Sequence, residues 1–212
     1  FYVIADMEQL SINQIKTWDR FYRGNFINSL SGFKSVSLIG TASLSGIPNL
    51  AIFSNIVHLG ADPALIGFVN RPVEAAPHTL ENIRETKSYT INHIHPEIYQ
   101  QAHQTSAKYP KGCSEFEKTG LTPDWQIGVK SPFVKESKIR FALELEEIVP
   151  IRQNRTFLVI GAITAVFLDS LLIDKDGFIN IDQANSITSL GLDGYYKTEK
   201  IDRLPYAKAA ID

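Results

Sequence analysis

Much that would place this chain in a familiar class is missing from it. Its 212 residues include a single cysteine, Cys113. One cysteine excludes an intrachain disulfide and a thiolate zinc cluster, and it fits a reducing compartment. Lys and Arg number 21 against 23 for Asp and Glu, a formal charge of −2. That balance gives no basic field for nucleic acid and no polybasic face for anionic lipid, so neither is expected as a partner. The longest apolar run, FLVIGAITAVFL at residues 157–168, is well short of the ~20 residues that span a bilayer. No GxGxxG, Walker or GxSxG sequence occurs, so a Rossmann or P-loop nucleotide site and a nucleophile-elbow hydrolase have no support. No secretory leader is visible and a cytoplasmic location is expected; Phe1 leaves open a start upstream, or one near Met7.

What is present reads as one domain over residues 1–212, with a helix at about 10–28 ahead of a core at about 35–196. A chain of this size buries roughly 70% of its unfolded surface. Leu10, Ile12, Ile15, Trp18, Phe21 and Tyr22 predict an amphipathic helix over 10–28, with Ser11 as N-cap, Gln14 as its capping-box partner and Gly24 as a stop. Strands are predicted at 36–41, 50–59, 64–69, 88–94, 139–151 and 156–168. The 50–59 strand is apolar on both parities, which predicts a central position. Short helices are predicted at 79–85, 97–108 and 115–119, the last two inside a polar insertion. A hairpin is expected around Lys175-Asp176-Gly177, and a short strand at Tyr195-Tyr196. At least six strands with few helices predict a mainly β chain, an antiparallel barrel with short peripheral helices.

The segment 41–94 carries the chemistry. Just after a buried strand come Arg71, His78 and Thr79, three donors suited to an anion, with a short helix starting at His78 or Thr79. Arg71 offers a planar fork to phosphate oxygens, Thr79 a hydroxyl, and the helix start its N–H groups and positive dipole end. The bland alternative is an exposed Arg-Pro turn before an ordinary helix cap. Upstream, Asn49, Ser54 and Asn55 place amide and hydroxyl groups on an apolar strand, the combination a flat polar-edged ring needs. Thr41 and Ser43 are candidates from the preceding strand.

Other constellations are weaker. His93 and His95 share a strand face, and with His103 or Glu97 they imitate a metal site, but Pro96 ends the strand at once and no metal is expected. Asp174, Asp176 and Gly177 imitate a calcium loop, yet Leu172 and Gln183 fall where its two most important ligands belong. Cys113, near Lys108 and Lys111, reads as a free surface thiol.

The residues Asn49-Leu50-Ala51 with Ser54-Asn55, then Asp62-Pro63, Arg71, Thr79 with Asn82-Ile83, Tyr89 and Asn92 resemble the flavin reductase-like family, the FMN-binding split β-barrels. A second block, AHQTSAKYPKGCSEFEKTGL at 102–121, and a third, GLDGYY at 191–196, are similar to that family's middle and closing segments. The resemblance covers about residues 35–196. It implies an antiparallel split β-barrel of Greek-key type and FMN as cofactor. It also implies NADH or NADPH as hydride donor, and a homodimer with the flavin near the seam. The implied cofactor-binding set is Thr41, Ser43, Asn49, Leu50, Ala51, Ser54, Asn55, Arg71, His78 and Thr79, partly through backbone N–H groups; no catalytic side chain is implied. The electrons would pass to a small-molecule redox substrate or an acceptor protein. Tyr195 and Tyr196 would either bring an aromatic ring near the flavin or the seam or pack in the core, and the insertion at 99–123 would cover the ring. The alternatives are a non-enzymatic FMN electron carrier and a barrel that has lost its cofactor and serves as an interaction module.

Overall fold

The structure, a computed structural model, describes residues 7–72, 77–110 and 112–209. Two helices open it, α1 (Ile12–Thr17) and α2 (Arg20–Leu30), followed by β1 (Lys34–Ser35), β2 (Ser37–Ala42), β3 (Pro48–Phe53), β4 (Ile56–Ala61) and β5 (Ala64–Asn70). Then come α3 (Pro77–Thr86), β6 (Ser88–His93), α4 (Tyr99–Gln104), α5 (Glu115–Thr119), β7 (Pro123–Asp124) and β8 (Phe133–Val134). The long pair β9 (Ile139–Ile151) and β10 (Thr156–Leu168) precedes β11 (Ile187–Leu190) and β12 (Gly194–Lys197).

Seven strands form one antiparallel sheet in the order β3-β2-β6-β9-β10-β5-β4, and β1, β11 and β12 form a smaller one. The mainly β, split-barrel architecture expected from the sequence is the one observed. The first and last strands of the large sheet are consecutive in the chain, so the two residues between them, Ser54 and Asn55, bring its edges together. Asn55 extends the β4–β5 pairing by one position at that seam. Its side-chain amide donates to the Val69 carbonyl (2.9 Å) and accepts from the Val69 N–H (3.2 Å), as a strand neighbour's peptide would.

This corrects the single central strand expected at 50–59. The stretch is two edge strands, broken at Ser54-Asn55. In β3 both parities are apolar because the wall has two apolar sides, whereas in β4 Val57 and Leu59 are exposed. Leu38 and Leu50 face a cluster with Ile94, Ile98 and Phe116, under α4 and α5. Ile39 and Phe53 face a second cluster with Phe68, Tyr89 and Phe141, into which α3 pushes Leu80 and Ile83. At about 25 cal/mol per Å² of apolar area, a wall covered on both sides is strongly driven to fold. Gly161 of β10 has no Cβ because Tyr89 fills that place: a Cβ there would lie 2.3 Å from the Tyr89 hydroxyl.

The expected helix at 10–28 is likewise two helices. The capping box forms, with Gln14 N–H donating to Ser11 Oγ (3.3 Å) and Ser11 N–H to Gln14 Oε1 (2.8 Å). Trp18 then turns extended, and Asp19 caps a new helix by accepting from the N–H groups of Phe21 (2.8 Å) and Tyr22 (3.3 Å). Gly24, expected as the stop, lies inside α2, because the Asp19 cap sets the start and the helix runs on to Leu30. The helix expected at 97–108 is shorter, Tyr99–Gln104. The turn at Lys175-Asp176-Gly177 forms with Gly177 at φ 87°, but it closes only an isolated bridge between Ile173 and Ile179 rather than a hairpin.

Candidate functional site

A cavity of about 350 Å³ opens beside the seam. That volume is in the range of small-molecule and cofactor sites. One wall belongs to the barrel: Asn49, Ala51, Ser54 and Asn55 from β3 and the seam, Arg71 after β5, and His78 and Thr79 at the start of α3. The other belongs to the α4–α5 loop at 105–109 and to Ser189, Leu192 and Tyr195 of the C-terminal strand pair.

The anion donors named from sequence therefore meet. Pro77 occupies the first position of α3, where its missing N–H costs nothing, and His78 and Thr79 follow in the first turn. Thr79 is buried, at 3% exposure. Its hydroxyl oxygen accepts from Asn49 Nδ2 (3.3 Å), and the residue lines the cavity. Asn49 and Asn82 both donate to Thr41 Oγ1 (3.2 and 3.1 Å), so four polar side chains lock β2, β3 and α3 together behind the wall. Arg71 is exposed at the mouth.

Three residues of the expected set do not line the cavity. Thr41 is fully buried and acts only through Asn49 and Asn82. Leu50 points its side chain into the core, and its N–H donates to Glu115 Oε2 (3.0 Å). Ser43 sits in the turn after β2, where its N–H donates to the Ile47 carbonyl (3.0 Å) and its hydroxyl meets Ser45 (2.9 Å). The backbone donors of Leu50 and Ser43 are thus already used.

Glu115 is the acidic group that residue-by-residue reasoning passed over. It lies in the cavity wall at 6% exposure, and burial pushes its carboxyl above the ordinary range, against the Leu50 N–H, its own N–H and the field of His78. Only its place in Ser114-Glu115-Phe116 signalled it, since its partner is 65 residues away. Ser189 Oγ is buried in the facing wall with no partner among the described residues.

The histidines are dispersed. His93 Nδ1 meets Ser186 Oγ (2.9 Å), and burial depresses its pKa to about 4. His95 is buried, with Nδ1 on the Glu97 carboxylate and Nε2 on the Glu136 carbonyl (2.9 Å), a structural clamp. His103 Nδ1 meets the Tyr195 hydroxyl (2.8 Å). Among the described residues no group of three His, Cys, Asp or Glu is placed to hold a metal ion. In the calcium-like loop, Arg203 takes Asp176 (2.6 Å) and approaches Asp174 (4.0 Å). Cys113 is free and partly buried. No described helix is long and apolar enough to cross a membrane.

The chain matches the model of the flavin reductase like domain over residues 30–181. A Shewanella frigidimarina protein assigned as a flavin reductase with a split barrel domain is 46% identical, with a TM-score of 0.91 over 95% of this chain and 100% of that one. Nitrilotriacetate monooxygenase component B from Bacillus cereus is 21% identical, with a TM-score of 0.82 over 94% of this chain and 100% of that one. Flavoredoxin of Desulfovibrio vulgaris is 20% identical, with a TM-score of 0.72 over 83% of this chain and 92% of that one. The last two likenesses concern the fold.

Proposed function

The chain belongs to the flavin reductase-like family, and on that premise we propose that its cavity binds FMN and that the protein is an oxidoreductase fed by NADH or NADPH. The observation that carries this reading is the meeting of Arg71, His78 and Thr79 with Asn49, Ser54 and Asn55 in one cavity. A flavin phosphate is a dianion, and burying it demands several donors. The Arg71 fork, the Thr79 hydroxyl, the His78 ring and the first-turn N–H groups of α3 supply them. Ala51 and Ile52 add apolar atoms to the lining, and Ser54 and Asn55 add polar groups beside them. Ser189 Oγ, buried in the opposite wall with no partner among the described residues, fits a polar ligand edge.

The bound flavin would supply the redox chemistry, taking a hydride at N5 from the nicotinamide. The chain's residues bind and orient. Asn49 and Asn82 hold Thr41 and Thr79 in register, and Glu115 fixes β3 through the Leu50 N–H. The electrons then go to a small-molecule redox substrate or an acceptor protein, and the working form is a homodimer in the cytoplasm. Support for the dimer is the family resemblance; sedimentation at working concentration tests it, and a monomer would remove it.

The test of the reading is the visible spectrum of the purified protein before and after anaerobic NADH or NADPH. Oxidised-flavin bands bleached within seconds are expected. Bands that persist with both nicotinamides would make the protein an electron carrier. A colourless protein that takes up no added FMN would overturn the reading.

A further inference from the structure

The loop that follows α4 lines the facing wall with five consecutive residues, Thr105 to Tyr109. The last carbonyls of α4 are all taken at its start. Thr105 N–H donates to the Ala102 carbonyl (3.2 Å), Ser106 N–H to His103 (2.9 Å) and Ala107 N–H to Gln104 (3.1 Å). The Tyr109 hydroxyl accepts from Gln104 Nε2 (3.0 Å). What the loop has left over is donors. Among the described residues nothing bonds the Ser106 hydroxyl, the Lys108 ammonium or the N–H groups of Lys108 and Tyr109. Lys108 is exposed, and its flexible four-carbon stem carries three donors. The one carboxyl in the lining, Glu115, does not neutralise it: Glu115 Oε2 accepts from the Leu50 N–H (3.0 Å) and forms no ion pair with Lys108 or Arg71. One cation on each wall, Arg71 and Lys108, thus borders a single cavity without a carboxylate partner among the described residues, in a chain of net charge −2. That arrangement favours an anion between the walls.

We propose that the loop at 106–109 is a second phosphate-binding element of the cavity, with Lys108 as its cation, and that it takes a phosphate ester carried by a redox nucleotide. This rests on the reading of the cavity as a flavin site. An ammonium, a hydroxyl and two backbone N–H groups from neighbouring residues suit the several oxygens of one phosphate, and charge-assisted bonds of this kind are the strong ones. Val36, Ala107 and Leu192 add apolar atoms to the same lining, which suits an organic ester rather than free phosphate. Two phosphates have this chemistry. One is the flavin's own, gripped between Arg71 and Lys108. The other belongs to the nicotinamide dinucleotide, which enters against the looser wall. Either one gives the loop the bonds it lacks, so occupancy of the cavity orders residues 106–109. Lys108 binds and positions; no proton or electron passes through it.

The test starts from cofactor-free protein titrated with FMN and with riboflavin, which lacks the phosphate, and reads the quenching of flavin fluorescence. If the phosphate is the flavin's, Lys108→Met should weaken FMN binding about tenfold, the loss of one charge-assisted contact, and leave riboflavin binding unchanged. If it is the dinucleotide's, FMN affinity should hold while the KM of holoprotein for NADH and NADPH rises about tenfold at unchanged kcat. A rise for NADPH alone identifies its 2′-phosphate. In both cases Lys108→Arg should keep most of the wild-type affinity, because the charge is kept. A second readout needs no variant: amide exchange at Lys108 and Tyr109 should slow on adding the phosphate-bearing ligand and not on adding riboflavin. Equal losses for FMN and riboflavin, or FMN affinity and both KM values unchanged in Lys108→Met, would overturn the proposal and leave the flavin site standing. If wild type turns over neither nicotinamide, the flavin arm decides, and unchanged FMN affinity overturns the proposal. Wild type that binds neither flavin would remove the proposal together with the flavin reading.

Discussion

The two walls of the cavity are built in different ways. The barrel wall is locked from behind: β2 pairs with both β3 and β6, and Thr41, Asn49, Thr79 and Asn82 form a buried network across it. The facing wall is a five-residue loop and the end of a four-residue strand pair, joined to α4 by one hydrogen bond and ring contacts of Tyr195, to the two-residue β1 through β11, and to Ile94 through the Ile187 N–H. A ladder of buried hydrogen bonds opens only with the whole domain, whereas a wall held by exposed side chains opens locally. The rigid side is therefore suited to holding a cofactor, and the looser side to admitting and releasing a second molecule.

Substitutions on the two sides should separate these roles. The largest effect is expected from Gly40→Ala in β2, where a Cβ would lie 2.2 Å from the Pro132 carbonyl and 2.6 Å from Thr90 Oγ1. Overpacking of this kind costs about 3 kcal/mol or more, read as a lowered urea midpoint with unchanged slope. A comparable effect should come from pH alone. The pKa of His93 is held near 4 in the folded protein against an ordinary 6.5, so the unfolded chain gains a proton first as pH falls. Stability should be fully present above pH 6.5 and fall by about 3 kcal/mol down to pH 4, and His93→Gln should flatten that slope. At the seam, Asn55→Ala removes both bonds to Val69 and should cost about 2 kcal/mol in the same unfolding assay.

On the facing wall the expected effects are small. Tyr109→Phe removes an exposed bond from Gln104 (3.0 Å) and should change global stability by under about 0.5 kcal/mol. It should instead speed amide exchange in residues 105–109. A loss as large as that of Asn55→Ala would contradict the contrast between the walls.

The parts legible in the sequence were those carried by local pattern. The bounds expected for β9 and β10, 139–151 and 156–168, are the ones observed, and the Ser11–Gln14 box was plain. Arg71, His78 and Thr79 were legible because a helix start follows a strand end. The seam at Ser54-Asn55 was not, because an apolar run on both parities looks the same whether one strand is buried on two faces or two edge strands meet. Nor was the role of Glu115, whose partner is set by tertiary packing alone. Helix α2 shows a third limit: Gly24 reads as a stop, but a strong cap at Asp19 outweighs one glycine, a cost of about 1 kcal/mol.

The central claim is that Arg71 and the start of α3 hold a flavin phosphate. The most direct measurement is a titration of FMN with cofactor-free protein, followed by quenching of flavin fluorescence, for wild type and Arg71→Ala side by side. The expected result is saturable binding by wild type and affinity lower by roughly ten- to a hundredfold in the variant, the loss of one charge-assisted contact. Equal affinities, or no binding by wild type, would contradict the account.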